Sequence, residues 1–596
     1  MIENNLALLE QSQLIRHAPG AANEEYMFKH GLVQETAYDS LLKQDRKRLH
    51  RFVAQSLERA NPRALDELAP LLAQHWDNAG ETARAYEYYI RAGDNAARIY
   101  ANAEALTAYD RALELGADLE LSSAQVQHLY ANRGRVLELH GSYDRALENY
   151  EQEENAGQAR SDSSLELDAL IRRTTLYVTP TKLFDLMRGL ELANRALARA
   201  RASGNRPAEA QVLWNLLLLH HFNGDYEQAI QYGEASLAIA RELNLREQEA
   251  YTLNDLVRPY SFSGRRDKAL AASAQARALW RELGNLPMLT DNLTTAAWQS
   301  FFRGEYLDTI QDLEEARRIS QDIGNLWGQA FAGETLGMIY FVLGDITRAL
   351  DLLQDATSSG AQANFLDAVY TGKTYIAFLY GLLGAPQRGI DLIERLLNQT
   401  PYLTGEWLVS PYAVLVILYS DLGNLERARE AYSRAQAAFE GKPGSPAQTF
   451  LGIATAHWQL AQGNPLAAYE RMREQIQYAE VRVTHPFLGS AMRPFQTINL
   501  YYQGIALERL DRLAEAEDAL TDAQQEAEET HSKAFLWNIL AARARLAAAR
   551  GDNSAAEQWK QKARVEIQYL ADHAPSDLRT TFLNRPDVRA IMQDSN

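Results

Sequence analysis

The chain contains no cysteine in 596 residues. Disulfides, thiolate nucleophiles and cysteine-based zinc or iron–sulfur centres are therefore excluded by chemistry, and a reducing compartment suits such a composition. Long apolar runs are also lacking. The longest, around Leu213 to Leu219 and Ala413 to Tyr419, fall well short of the ~18 residues a membrane span needs. The first residues, Met1-Ile2-Glu3-Asn4-Asn5, carry acid and amide groups where a secretory leader needs cations. These features together predict a cytoplasmic protein with no membrane partner. Excess positive charge is absent too: 60 Lys and Arg stand against 78 Asp and Glu, a formal net charge of −18, which disfavours general adhesion to nucleic acid.

Motifs that would carry catalysis are equally scarce. Thr371-Gly372-Lys373-Thr374 has the end of a phosphate-binding loop, but the first glycine of that motif would fall at Asp367, and the tetrapeptide sits inside a predicted helix. No His is followed by Glu, so the helical zinc-protease motif is missing. His220 and His221 are neighbours, and neighbouring side chains on a helix point about 100° apart, which does not make a metal pair. The acidic runs Glu314-Glu315 and Glu526 to Glu529 fall on periodic helices and read as solvated faces. The expectation is a protein that is not an enzyme, with no cofactor and no metal.

What is present is a repeat. Gly224-Asp225-Tyr226-Glu227-Gln228-Ala229-Ile230 reads as a tight turn and the start of a helix, and its echoes begin at Gly264, Gly304, Gly344 and Gly384, each 40 residues after the last. Glycine closes one helix in a left-handed conformation and the polar residue beside it caps the next. A small residue five places on lets two helices approach. Taken as a marker, that position gives Ala85, Ala105, Ala146, Gly189, Ala229, Ala269, Thr309, Ala349, Gly389, Ala428, Ala468, Ala516 and Ala556. The spacing exceeds the roughly 34 residues of a tetratricopeptide repeat, so tetratricopeptide-like hairpins with lengthened helices are expected. A chain of this length with such a period predicts an all-α, right-handed superhelix in which each hairpin packs on its neighbours. The polar segment Glu153 to Ser164 reads as a loop, as do Gly441 to Pro446 and Val481 to Pro494.

Residues 1–62 differ from the repeats. A short apolar segment and a Pro19-Gly20 turn precede Phe28-Lys29-His30-Gly31-Leu32-Val33-Gln34-Glu35-Thr36-Ala37-Tyr38-Asp39-Ser40-Leu41-Leu42. Arg48-Leu49-His50-Arg51 and Leu72-Ala73-Gln74-His75-Trp76 follow. This block resembles the winged-helix exit of STAND-type signalling ATPases, a family that includes bacterial proteins joining a cyclase-like domain, an ATPase and tetratricopeptide-like repeats. Leu578-Arg579-Thr580-Thr581-Phe582-Leu583-Asn584-Arg585-Pro586-Asp587-Val588-Arg589 looks like the C-terminal tail of that family. The resemblance implies a winged-helix-like segment with a small β-wing near 26–30 over residues 1–62, a repeat arm over 63–572 and a tail over 573–596. The phosphate-binding loop of such relatives lies upstream of the winged helix, and the present sequence does not contain it. The implied role is a non-catalytic sensor or protein-interaction arm whose ATPase domain is supplied elsewhere.

Two alternatives stand beside that reading: a free-standing tetratricopeptide-repeat scaffold, and a DNA-binding regulator using the cationic run Lys43 to Arg51. For the first two, the partner would be a protein, peptide or small molecule held on the concave face that first helices line. Projecting the tetratricopeptide register onto the middle repeats selects Trp214, His221, Asn254, Arg258, Trp298, Phe301, Glu334, Met338, Phe341 and Phe378 as that groove. The set combines aromatic area for affinity with few polar groups for orientation.

Overall fold

A computed structural model of the protein describes residues 2–17, 26–179, 181–399, 408–439, 446–483 and 493–593. Of the segments expected as loops, 441–445 and 484–492 lie outside these residues, whereas Pro446, residues 481–483 and residues 493–494 are the ends of the helices Pro446–Ala461, Pro465–Val483 and Arg493–Arg509. Packing separates two compact units, Met1–Leu137 and Glu138–Asn596.

The first unit opens with the helix Ile2–Gln11 and a two-stranded antiparallel hairpin, Ile15–His17 against Tyr26–Phe28, with Ile15 opposite Phe28. Two helices follow, Gly31–Asp39 and Lys43–Ala60, and then the first of the stacked helices, Ala69–Ala79, Thr82–Arg98 and Asn102–Gly116. Elsewhere the described residues form helices and their connections.

The second unit is a run of helical hairpins whose turns recur as the glycines predict. At Gly224 the backbone has φ +80°, the Asp225 amide donates to the His220 carbonyl at 2.9 Å, and the Asp225 carboxylate accepts from the Gln228 amide at 3.3 Å. Thus one residue closes the helix Arg206–Phe222 and the next caps Tyr226–Glu242. All thirteen marker positions, from Ala85 to Ala556, are buried. They lie in the first turn of a second helix, or, for Thr309, at the end of a short 3-10 segment leading into one. A larger side chain there would push the two helices of a hairpin apart.

The expected loop at Glu153 to Ser164 is instead helix: Tyr143–Arg160 runs through it, and only two residues separate it from Ser163–Val178. The acids that read as solvent-facing are buried. Glu153 is fully buried 3.9 Å from Arg172, and Glu154 pairs with Arg173 on the next helix. Polarity reads as a loop when its partners lie elsewhere in the chain.

Within the second unit the stack winds so tightly that hairpins about 200 residues apart touch. The Lys533 amide donates to the Val342 carbonyl at 2.9 Å and the Thr347 amide to that of His573 at 2.8 Å. Arg585 donates to Leu382 O at 2.5 Å and the Thr581 hydroxyl to Leu383 O at 2.8 Å. At the other end, Asn364 Nδ2 meets the Gly141 carbonyl at 3.2 Å. These separations, 198 to 226 residues in three of the contacts, amount to roughly five hairpins per turn of the stack. Helix Leu326–Leu343 is consequently enclosed on nearly every side, with 14 of its 18 residues buried.

Candidate functional site

Five successive first helices, Arg206–Phe222, Arg246–Phe262, Leu286–Phe302, Leu326–Leu343 and Leu366–Leu382, carry a continuous polar and aromatic strip. Trp214 Nε1 donates to Asp255 Oδ2 at 2.7 Å, and its ring lies 5.3 Å from that of Tyr251. Asn254 Nδ2 donates to Asp291 Oδ2 at 2.7 Å and more weakly to Asp255 Oδ1 at 3.4 Å, while its Oδ1 accepts from Asn292 at 3.0 Å. Arg258 reaches Thr295 Oγ1 at 3.2 Å and sits 5.8 Å above the ring of Phe331. On the last helix, Thr371 donates to Asp367 at 3.2 Å.

The strip is acidic and poorly solvated. Burial pushes Asp255 up to about 6, with the neighbouring Asp291 adding to the rise and Trp214 and Arg258 opposing it. Burial likewise raises Asp291 against the pull of Arg258 and Asn254, and Asp367 against Thr371 and Arg258. Glu334 is held well above the carboxylate range, first by burial and then by Asp367. His221 is pushed down to about 3 by burial and by Arg258, so its imidazole is neutral. Asp255, Arg258, Asp291 and Asp367 nevertheless remain half-buried and not sealed.

The ten groove positions selected from sequence divide. Trp214, His221, Arg258 and Trp298 are half-buried. His221 packs among Phe222, Tyr226 and Phe262, and Trp298 lies against Phe302. Asn254 and Glu334 are buried but belong to the polar strip through their hydrogen bonds and charges. Phe301, Met338, Phe341 and Phe378 are buried in the apolar core. Phe378 meets Phe341, Phe450 and Phe535 at ring separations of 5.4 to 6.0 Å, the last two from later hairpins of the stack.

Sequence reasoning missed Tyr251, Asp255, Asp291 and Asp367. A signal was available one helical turn earlier than the positions chosen: Tyr251, Asp291, Phe331 and Thr371 are spaced by 40, and Asp255, Thr295, Thr335 and Tyr375 form a second such row. Residues 251, 255 and 258 share one helical face.

A concavity of about 340 Å³ lies among the later hairpins. His457 bridges Asp421 at 2.9 Å and the Tyr502 hydroxyl at 2.8 Å on its wall, and Arg585 and Asp587 enter from the C-terminal helices. Thr371 to Thr374 falls in the middle of helix Leu366–Leu382. Among the described residues no group of three or more His, Asp or Glu is placed to hold a metal ion, and no helix is long and apolar enough to cross a membrane.

The hairpins define a stack of tetratricopeptide type, and a tetratricopeptide-repeat family model matches residues 181–242. No curated protein matches the chain. Among solved structures, it is similar to a Rap protein complexed with competence and sporulation factor, at 14% identity and TM-score 0.42, over 59% of this chain and 96% of that one. It is also similar to aspartyl phosphate phosphatase F from Bacillus subtilis, at 14% identity and TM-score 0.38, over 60% and 92%. A third likeness, to the APC/C hetero-tetramer Cut9–Hcn1, covers 85% and 96% at 12% identity and TM-score 0.28.

Proposed function

We propose that this protein is a non-catalytic sensor and interaction arm that binds a protein, peptide or small ligand on the inner strip of its middle hairpins. The observation that carries the reading is the strip itself: Trp214, Arg258 and Trp298 stay accessible, with half-buried carboxylates between them, where four other groove positions are closed by core packing. Aromatic surface and a few oriented polar groups are what selective binding requires.

The arm would serve a STAND-like nucleotide switch supplied by another domain or chain. In support, the N-terminal unit leaves Leu32 76%, Leu42 72% and Phe52 62% exposed, apolar area suited to covering by a further domain. In the cationic run, Arg46 already pairs with Asp39 at 3.2 Å and lies over Tyr38, which favours protein docking over duplex binding there. A ligand on the strip moves such a switch only if the resting and active states bind it differently.

The test is a peptide-display selection on the wild-type protein, repeated on the triple variant Trp214→Ala, Arg258→Ala, Trp298→Ala. Selected peptides should lose at least tenfold in affinity while the circular dichroism spectrum stays helical. Unchanged affinity would remove the inner strip from the function.

A further inference from the structure

The strip's chemistry narrows what it can hold. Four carboxylates, Asp255, Asp291, Glu334 and Asp367, stand on four consecutive first helices, with one guanidinium, that of Arg258, among them. Buried acids cost less when paired with a cation that also brings hydrogen-bond donors. The protein's own donors reach Asp255, Asp291 and Asp367, from Trp214, Asn254 and Thr371. Glu334 is different. Only 3% exposed, it faces Asp367 and Thr371, and its Oε2 has no hydrogen-bond partner. A buried oxygen of this kind has lost its water without gaining a donor in return, so a donor brought by a ligand would be favourable there.

We infer that the strip receives a cationic group, an alkylammonium or guanidinium, that lies against Trp214 and Tyr251 and donates into the carboxylates of Asp255, Asp291, Glu334 and Asp367. The protein already seats one cation in this manner, since Arg258 rests over the Phe331 ring with a hydroxyl acceptor beside it. An ammonium brings three donors and a positive charge, where four acids share one guanidinium and Glu334 Oε2 has no donor. A free polyamine and the basic side chains of a peptide share this chemistry. The inference rests on the inner-strip reading above.

The experiment is isothermal titration of spermidine, and of a blocked peptide alternating lysine with tryptophan, into the wild-type protein and the double variant Asp291→Asn, Glu334→Gln. Both substitutions keep shape and remove an acid that burial holds above its ordinary pKa, so the variant should fold at least as well, as its melting temperature will report. At least one probe should bind the wild type, weaken with added salt, and lose tenfold or more in the double variant. Spermidine alone would identify a small cation, the peptide alone a basic peptide; either result supports the inference. Binding by neither probe, or equal binding to both proteins, overturns it. The same peptide with glutamate in place of lysine separates the two readings. If that peptide binds, and binding is lost in the Trp214, Arg258, Trp298 variant, the strip is functional but not for cations. If probe binding ignores both sets of substitutions, the inner strip itself fails.

Discussion

Glu153 shows how much a single side chain is governed by distant partners. Burial pushes its carboxyl up to about 8 against the pull of Arg172, with Asp168 adding to the rise. Its folded pKa therefore lies above the unfolded value of ~4.3. Protonated Glu153 supports the fold fully below that unfolded value, and the support is lost as pH rises toward 8, where the unfolded chain is ionised and the buried group resists ionisation. Replacing Glu153 with Gln should thus matter little near pH 4 and raise the melting temperature relative to wild type increasingly up to pH 9. A difference that does not grow with pH would show that Arg172 keeps the buried carboxylate charged. The same residue explains a misreading of the sequence, because the five acids and amides at 151–155 look solvent-seeking until the arginines of the next helix are placed beside them.

Between the two helices of a hairpin, contact distance decides what a small residue is worth. Gly389, in helix Pro386–Gln399, would bring a Cβ to 2.7 Å from the Ala377 carbonyl oxygen, a backbone atom with little freedom to retreat. Gly333, in Leu326–Leu343, would meet nothing nearer than Ala356 Cβ at 3.4 Å. Alanine is favoured over glycine in a helix by ~1 kcal/mol, whereas overpacking costs ~1–3 kcal/mol. Gly333→Ala should therefore raise the unfolding midpoint and Gly389→Ala lower it, as followed by circular dichroism on heating. Two shifts of the same sign would mean that hairpin spacing adjusts more freely than these distances allow. Gly389 was legible as a marker from its place in the 40-residue series. The clearance at Gly333 was not, since it depends on how far apart two helices settle.

For the second unit as a whole, the decisive contacts join hairpins about five repeats apart. Arg585 and Thr581 cover the carbonyls that end helix Leu366–Leu382, and Arg388 meets Asp577 at 2.5 Å beside them. Removing the clasp with Arg585→Ala and Thr581→Ala should leave the hairpins formed but speed amide hydrogen exchange across 366–384, read by mass spectrometry of peptides from that stretch. Exchange equal to wild type would assign no stability to the contact between turns. This scale also decides the binding strip. Phe341 and Phe378 occupy register positions equivalent to half-buried groove residues, yet Phe341 packs on Phe378 and Phe378 on Phe450 and Phe535 of later hairpins, while Trp214 and Arg258 keep their access.

The sequence alone determined the helical hairpin, its 40-residue period and the small residue at every hairpin crossing, because glycine turns, helix caps and close helix contacts are local and repeat with the chain. The tertiary structure alone decided that Glu153 is buried, that Phe378 is core, and that Asp255, Asp291 and Asp367 gather around one arginine with Glu334 beside Asp367. Those outcomes depend on which side chains of neighbouring and later hairpins meet and on a rotation of one helical turn, and neither is encoded in the period.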